Sequence, residues 1–353
     1  MSKSLEQLVG QVIIAGFRGK TVNQKSPILR YIKNFNIAGV ILYDIDLEIG
    51  GEKLTPGTRN IESPSQIQKL ITQLQKNSRH ELLISIDQEG GDSSRLKSIY
   101  GFQEDTSWGH IGKLNSSVMT KQFAESMTNI LSQAGINLNF APVLDLDHGK
   151  GAVISDQNRA FSNDPDLVVK HSEIFINAHR EKNIITCGKH FPGLGSASGD
   201  THEGLTDITD TWTVKDLIPF DKLIQNNKLD SVMVSHAIDK KLDPKYPASL
   251  SKKIIQEMLK KDLGFKGPII CDDPSMRAIS DHYSLEETFK LMLDAGVDLF
   301  CLGNNLIYDP DYIPNAINSV CNLITSGKIK KTRIEQSINK IELLKSNYGI
   351  GQK

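Results

Sequence analysis

The chain has 353 residues, of which 39% are hydrophobic and 24% are charged, and its formal net charge is −1. This composition is typical of a globular domain, and without a strongly basic block it lacks the electrostatic signature of nucleic-acid binding. No apolar run approaches the roughly eighteen residues of a membrane span, and the N-terminus has no signal-peptide pattern. The four cysteines have neither metal-ligand nor redox spacing, and three lie in apolar runs, which favours buried, reduced thiols. We therefore expect a cytoplasmic protein with no nucleic-acid or membrane partner.

Short apolar runs recur eight times along the chain, and helix-like segments lie between most of them. Most of the runs are continuous rather than alternating, which is typical of strands buried on both faces of a parallel sheet. The predicted strands are Gln11–Phe17, Ile37–Tyr43, Leu82–Asp87, Leu138–Asp145, Ile184–His190, Ser231–His236, Pro268–Asp272 and Val297–Leu302.

The intervening segments predict helices. Val118–Ala134 carries apolar residues at helical spacing, and Gly135 is expected to end the helix. Pro165–Glu181 and Ser251–Leu263 are further helix candidates. Near the C-terminus, Thr332–Glu335 has the capping-box pattern, which predicts the start of a final helix.

Eight strands that alternate with helices predict an α/β fold, a (β/α)8 TIM barrel in a single domain over residues 1–353. A doubly wound open sheet is the alternative. The barrel is favoured because nearly every predicted strand ends in polar residues, which a barrel would bring together at its C-terminal face. We expect C-terminal helices over about 312–348 to pack on the barrel, and the polar insertion Asp44–Thr58 to lie on its rim.

The most distinctive segment runs from Gly188 to His202, where an apolar strand gives way to a polar, glycine-rich loop. Lys189 and His190 stand at the predicted strand end, and Asp200 and His202 follow beyond the glycines. Glycines allow such a loop to move, and loops over a rigid scaffold often carry catalytic groups. Because residues i and i+2 of an extended loop lie on the same side, Asp200 could orient His202 as a proton donor.

Other predicted strand ends have both a chemical and a structural interpretation. Asp272 and Asp273 end the seventh run, where a carboxylate could serve as nucleophile, base or metal ligand, or could instead cap a helix or pair with a lysine. Lys189 and His190 could donate hydrogen bonds to substrate hydroxyls, or be satisfied by neighbouring carboxylates.

Three further residues have the same ambiguity. Asp87, followed by a Gly90-Gly91 pair that would permit close approach, could accept hydrogen bonds from hydroxyls or cap a helix. Arg95 and Arg159 could clamp polar substrate groups, or pair structurally with carboxylates.

A barrel metallohydrolase site could in principle use His190, His202, His236 and Asp272. Such sites usually begin with a His-x-His pair on an early strand, and no early predicted strand contains a histidine. The G-x-x-x-x-G-K-[ST] pattern of a phosphate-binding loop is also absent from the sequence. We therefore expect neither a metal nor a cofactor.

Several motifs occur together along nearly the whole chain: Asp87–Gly91, Asn139–Asp145, Arg159–Phe161, Lys189–Gly193, Asp200–His202, Ser235–His236, Pro247–Ser251 and Asp272–Asp273 with Ser275–Met276 behind them. In combination they resemble the signature of the glycoside hydrolase family 3 β-N-acetylglucosaminidases. The resemblance implies a TIM barrel that hydrolyses terminal, non-reducing β-linked N-acetylglucosamine with retention of configuration. It also implies a monomer that acts on muropeptide fragments in cell-wall (peptidoglycan) recycling.

The resemblance implies roles for individual residues as well. Asp272 would be the nucleophile, and His202 would be the acid/base, oriented by Asp200. The residues that hold the sugar would be Asp87, Arg95, Arg159, Lys189 and His190.

The chain departs from the family pattern in places that leave the aglycone open. Asp92 and Ser93 follow the glycine pair, where the family often has an arginine, and Pro274 stands where a leucine is common. Three alternatives also remain. The first is a phosphorylase, which uses phosphate as the acceptor, because a histidine in place of a carboxylate would repel the phosphate anion less. The other two are a β-glucosidase and a non-catalytic sugar-binding barrel.

Overall fold

The computed structural model describes residues 4–46 and 59–351. Eight parallel strands close into a barrel in which each strand pairs with the next and the eighth pairs with the first. The (β/α)8 TIM barrel predicted from the sequence is therefore confirmed. The strands are β1 (Ile13–Gly16), β2 (Gly39–Leu42), β3 (Leu83–Ile86), β4 (Leu138–Asn139), β5 (Ile185–Phe191), β6 (Ser231–Val234), β7 (Ile269–Cys271) and β8 (Leu299–Leu302).

All eight strands fall within or overlap the predicted apolar runs, and every strand residue is buried because side chains fill the interior and helices cover the exterior. The one large difference is β4, which covers Leu138–Asn139 instead of Leu138–Asp145. Pro142 cannot donate to a strand ladder, and beyond it only a single bridge, Val143 to Lys189, joins the segment to β5. The chain there continues as an irregular extension that leads Asp145 to the barrel mouth.

Helices surround the barrel. The α-helices are α1 (Leu5–Gly10), α2 (Pro27–Arg30), α3 (Pro64–Asn77), α4 (Trp108–Leu114), α5 (Ser117–Ala134), α6 (Val153–Asp156), α7 (Pro165–Glu181), α8 (Ile218–Gln225), α9 (Arg277–Ser280), α10 (Leu285–Ala295), α11 (Tyr312–Thr325) and α12 (Lys331–Asn347). Tyr31–Phe35 and Lys253–Asp262 are π-helical, and the 3-10 turns are Gly91–Ser93, Ser98–Tyr100, Val214–Leu217 and Ala248–Leu250.

The helix predictions hold where local signals agree with packing. Helix α7 has the predicted bounds, and α5 ends at Gly135, whose φ of 86° is the left-handed conformation that glycine adopts readily. The final helix predicted to start at Thr332–Glu335 is present as α12, which begins one residue earlier, at Lys331, but the capping box is wrong because the side chain of the N-cap residue makes no cap hydrogen bond. Thr332 therefore lies inside the first turn.

The C-terminal helices α11 and α12 lie within the predicted range, and both contact α1. Of the predicted insertion Asp44–Thr58, only residues 44–46 belong to the described part, and residues 47–58 lie outside it. Cys187, Cys271 and Cys301 are buried free thiols, as expected. Among the described helices, none has both the length and the apolarity to cross a membrane.

Candidate active site

A pocket of about 970 Å³ opens at the C-terminal ends of the strands. Its lining comes from β5 and β6, from the segments that follow β2, β3, β5, β7 and β8, and from the stretch between β4 and α7, so residues far apart in the sequence meet there. All eight residues proposed for the site line this pocket: Asp87, Arg95, Arg159, Lys189, His190, Asp200, His202 and Asp272.

Lys189 lines the pocket, and together with Asp87 and Arg95 it is called the pocket floor. Its Nζ lies 2.9 Å from Asp87 Oδ1 and 2.6 Å from Glu89 Oε1, and the side chain is only 3% exposed. Burial alone would lower the pKa of Lys189, but Asp87 and Glu89 raise it above its ordinary value. Lys189 is thus a fixed cation whose desolvation is offset by two carboxylates.

Glu89 is a site residue to which the sequence analysis assigns no individual role. Arg159 donates to it in a bidentate arrangement, with Nε 2.7 Å from Oε2 and Nη2 2.9 Å from Oε1. Burial would raise the pKa of Glu89, but Arg159 and Lys189 hold it well below its usual range. Arg159 therefore both pairs structurally and lines the pocket. The only feature of the sequence that could have pointed to Glu89 as a site residue was its position inside the Asp87–Gly91 motif.

Arg95 lies beside Asp87 and keeps one hydrogen-bond donor unused. Its Nη2 lies 3.8 Å from Asp87 Oδ2, and its backbone N–H donates to the Gln88 side chain at 2.9 Å. The guanidinium lies 6.0 Å from the centre of the Tyr43 ring. Its Nε is buried and has no hydrogen-bond partner within the described structure. Arg95 can therefore offer a donor to a bound molecule.

His190 follows Lys189 on β5, and the peptide bond between the two residues is cis. The β5–β6 register shifts between Gly188 and Phe191, and irregularities of this kind redirect side chains. Both Lys189 and His190 line the pocket, although neighbours on a regular strand point to opposite faces.

Asp272 directly follows β7 and lines the pocket. Its carboxylate accepts a hydrogen bond from the backbone N–H of Asp273 at 2.9 Å. Burial opposes the ionisation of Asp272, yet its pKa lies below its ordinary value, with the Asp273 N–H bonded to its carboxylate. Asp272 is therefore an ionised carboxylate at neutral pH.

Asp273 has a different environment. It is 8% exposed, and its Oδ1 accepts a hydrogen bond from the Ser275 N–H at 2.9 Å, which closes the turn before α9. Burial foremost, together with the charge of Asp272, raises the pKa of Asp273 to about 6. Of the two carboxylates, Asp272 is thus the better nucleophile.

Asp200 and His202 form a hydrogen-bonded pair on the loop after β5. His202 Nδ1 lies 2.6 Å from Asp200 Oδ1, and the same oxygen accepts from the His202 backbone N–H at 2.9 Å. Desolvation lowers the pKa of His202, but Asp200 and then Asp272 raise it above its ordinary value. Burial opposes the ionisation of Asp200, but His202 lowers the pKa of Asp200 to about 2. The pair is therefore a proton donor held in one orientation.

His236 is occupied structurally. Its Nε2 donates to the Asp273 carbonyl at 3.0 Å, and its Nδ1 accepts from the Ser249 hydroxyl at 2.7 Å. With both ring nitrogens engaged, His236 is not available as a metal ligand. Over residues 4–46 and 59–351, no group of three or more His, Cys, Asp or Glu side chains is spaced to hold a metal ion.

Comparison with known proteins gives a consistent set of relatives. Residues 4–344 match the family model described as the glycosyl hydrolase family 3 N-terminal domain. The β-hexosaminidase of Hydrogenovibrio crunogenus is 35% identical over 278 residues, which are 76% of this chain and 72% of that protein. The β-hexosaminidase of Haemophilus influenzae strain Rd is 34% identical over 304 residues, 83% of this chain and 79% of its own length.

Solved structures show the same relationship. A glycoside hydrolase family 3 β-N-acetylglucosaminidase from Paenibacillus sp. FPU-7 superposes with a TM-score of 0.87 at 28% identity over 99% of this chain. This chain spans only 63% of the length of that protein. A β-N-acetylhexosaminidase from Beutenbergia cavernae superposes with a TM-score of 0.84 at 25% identity, over 98% of this chain and 99% of its own.

Proposed function

The chain belongs to glycosyl hydrolase family 3 and is a glycoside hydrolase, and we propose that it removes terminal, non-reducing β-linked N-acetylglucosamine with retention of configuration. One observation carries the proposal: an ionised Asp272 and an Asp200-oriented His202 line the same pocket, beside a floor of fixed donors and acceptors. The names of the relatives, β-hexosaminidases and β-N-acetylglucosaminidases, support the choice of sugar.

The first step uses both sides of the pocket. Asp272 attacks the anomeric carbon while His202 gives its Nε2 proton to the glycosidic oxygen, so that the aglycone leaves as a neutral alcohol. The sugar is then held as an ester of Asp272. Nε2 is the atom available for this transfer because Nδ1 is bonded to Asp200.

The second step reverses the proton flow. His202, now neutral, takes a proton from water as the water attacks the anomeric carbon, and the bond to Asp272 breaks. Two displacements at one carbon retain its configuration. The steps use only side chains and water.

An imidazole suits this role because its pKa can be set near neutral pH by a neighbour, and here Asp200 raises it. A group that must first donate and then accept a proton works best when its pKa lies near the working pH. The loop position of His202 also allows the imidazole to adjust once sugar is bound.

The floor would recognise the sugar ring. Asp87 offers carboxylate oxygens to hydroxyls, Lys189 and Arg95 offer charged donors, and Arg159 and His190 complete the wall. Hydrogen bonds to charged groups are about twice as strong as neutral ones, and the ion pairs hold these groups in place before sugar arrives.

We further propose that the natural substrates are muropeptide fragments and that the chain acts as a cytoplasmic monomer in cell-wall recycling. We also propose that residues 1–353 form one catalytic domain. The match over residues 4–344 supports a single catalytic domain, and the bacterial source of the β-hexosaminidase relatives supports a role in cell-wall recycling.

A panel of chromogenic aryl β-glycosides tests the proposed activity. The N-acetylglucosaminide is expected to be hydrolysed much faster than the glucoside or the N-acetylgalactosaminide, and Asp272→Asn is expected to reduce the rate by at least about 10³-fold. Wild-type activity no higher than that of Asp272→Asn would refute the proposed activity. Preference for the glucoside would favour a β-glucosidase, and release of sugar 1-phosphate in phosphate buffer would favour a phosphorylase.

A further inference from the structure

Asp145 lies behind the pocket wall and contacts two parts of the site at once. It is fully buried and does not line the pocket. One carboxylate oxygen lies 2.6 Å from His190 Nδ1, and the other accepts from the Leu194 N–H at 2.6 Å. The His190 backbone N–H also points at both oxygens, at 3.2 and 3.3 Å. Three N–H groups from two residues thus converge on this carboxylate.

These contacts determine which nitrogen of His190 carries the proton. A carboxylate only accepts hydrogen bonds, so Nδ1 must donate to Asp145. On the other side of the ring, Arg159 Nη2 lies 3.4 Å from His190 Nε2, and a guanidinium only donates. Nε2 must therefore be unprotonated, and both neighbours select the same neutral tautomer.

The Leu194 contact links this tautomer to the catalytic loop. Leu194 lines the pocket at the start of the loop that carries Asp200 and His202. The next residue, Gly195, packs so closely on the chain after Asp145 that an added Cβ would lie 2.2 Å from the Leu146 carbonyl oxygen. The carboxylate of Asp145 therefore anchors the sugar-facing His190 and the base of the loop together.

We propose that Asp145 is a positioning residue for hydrolysis, which holds His190 in the tautomer whose Nε2 accepts a hydrogen bond in the pocket and fixes the start of the loop that bears Asp200 and His202. His190 is thereby an acceptor at Nε2, where Arg159 donates to it, and not the donor to substrate hydroxyls that its strand-end position alone suggested. The kinetic part of this inference rests on the proposed function, and the tautomer part does not.

The tautomer can be measured in the wild-type protein without substrate. In protein labelled with ¹⁵N-histidine, two-bond ¹H–¹⁵N spectra distinguish Nδ1–H from Nε2–H rings, and His190→Gln identifies the His190 signals among the nine histidines. We expect Nδ1 to carry the proton and Nε2 to be unprotonated. A ring protonated at Nε2 would overturn the proposal, whether or not any variant folds.

Asp145→Asn tests the catalytic consequence. The asparagine carbonyl oxygen can still accept from the Leu194 N–H, but its NH2 group would face His190 Nδ1. Two donors cannot share this contact, so the His190 proton would move to Nε2, where it would face the Arg159 donor. We expect kcat/KM to fall at least about 100-fold, as misplacing a group near the chemistry can do. The thermal midpoint should match that of the control Asp147→Asn, whose carboxylate accepts from Gly149 N–H outside the pocket. The His190 signals of Asp145→Asn should shift to the Nε2–H pattern.

A double variant separates positioning from simple support of the fold. If Asp145 acts through His190, then adding Asp145→Asn to His190→Ala should lower kcat/KM by no more than about threefold further. If the loss of kcat/KM in the double variant equals the product of the losses in the two single variants, the proposal is refuted. It is also refuted if Asp145→Asn has the wild-type kcat/KM. A wild-type protein that fails to hydrolyse any glycoside refutes the proposed function, and the spectra then decide the tautomer alone.

Discussion

Two adjacent aspartates show how strongly local environment decides chemistry at the residue scale. The pKa of Asp272 lies below its ordinary value, whereas burial and the neighbouring charge raise the pKa of Asp273 to about 6. Two neighbouring carboxyl groups in a buried site do not both ionise readily, because their like charges repel each other. Burial of Asp273 thus leaves Asp272 as the carboxylate that carries negative charge to the sugar.

The pH profile of kcat/KM should report Asp272 and His202. Hydrolysis needs Asp272 ionised and His202 protonated. The pKa of Asp272 is lowered from its ordinary value of 3.8, so the loss of activity in acid should be centred below pH 3.8. The pKa of His202 is raised from its ordinary value of 6.5, so the loss in alkali should be centred above pH 6.5. Asp200→Asn removes the anion that raises the pKa of His202, so the alkaline limb should move to lower pH. Asp207→Asn, which alters an exposed pair with Lys240, is the control. An unchanged limb in Asp200→Asn would contradict the assignment.

Loss of the His202 imidazole should depend on the leaving group. In His202→Ala, kcat/KM for a disaccharide should fall about 10²- to 10⁴-fold, because its alcohol leaves poorly without a proton. A dinitrophenyl glycoside, whose phenolate leaves unaided, should lose far less. The measurement is the ratio of the two losses, with the exposed His110 changed to alanine as the control. Equal losses would exclude His202 as the acid.

Individual residues could be predicted from the sequence when they stood at the end of an apolar run or inside a recognisable motif, as Lys189 and Asp272 did. Glu89 and Asp145 received no role because their function depends on partners that only folding brings near. Glu89 meets Arg159, 70 positions away, and Asp145 meets His190, 45 positions away. Nothing in the spacing of single residues encodes such a pairing.

At the scale of elements, the turns and short helices around the pocket carry the charges that an aglycone meets. Among the described lining residues, the exposed charges are three carboxylates and one guanidinium, namely Asp92, Asp156, Glu203 and Arg277. This rim is net acidic and should weaken the binding of an aglycone that carries a carboxylate, as a muropeptide fragment does, relative to an uncharged one.

Reversing one rim charge tests this effect. Asp92→Arg should raise kcat/KM for a carboxyphenyl N-acetylglucosaminide about fivefold relative to an uncharged phenyl one at low salt, from simple Coulomb attraction. The gain should shrink as salt is added. Asp210→Arg makes the same change in net charge on an exposed side chain outside the pocket lining. An equal gain in that control would show that Asp92 has no specific role.

Elements with strong local signals were predicted well, and those shaped by distant contacts were not. Pro165–Glu181 carries its own proline start and apolar face, and α7 has those bounds. The Thr332–Glu335 pattern had the residues of a cap but not its geometry, because Arg333 is drawn to Asp298 at the base of the barrel. Tertiary contacts there override the local signal.

At the scale of the whole molecule, barrel closure was predictable because it follows from a count of buried runs and the helices between them. The barrel also separates chemistry from stability: the pocket occupies the C-terminal ends of the strands, and α12 is clamped near the N-terminal end of β8. Asp298, 1% exposed, lies 3.2 Å from Arg333 Nη1 and 2.9 Å from Lys340 Nζ, and accepts from the Ser337 hydroxyl at 2.8 Å.

Asp298→Ala should therefore destabilise the fold without changing the chemistry. Removing one partner from a buried ion pair typically costs about 3–5 kcal/mol, because the remaining charges lose their compensation. We expect a loss of that order in the free energy of unfolding by urea, with kcat at 25 °C within about twofold of wild type for the folded fraction. Asp294→Ala, which breaks a more exposed pair with Lys290, should cost at most about 1 kcal/mol. A fall in kcat beyond the loss of folded protein would mean that the α12 clamp reaches the pocket, and the separation of stability from chemistry would be wrong.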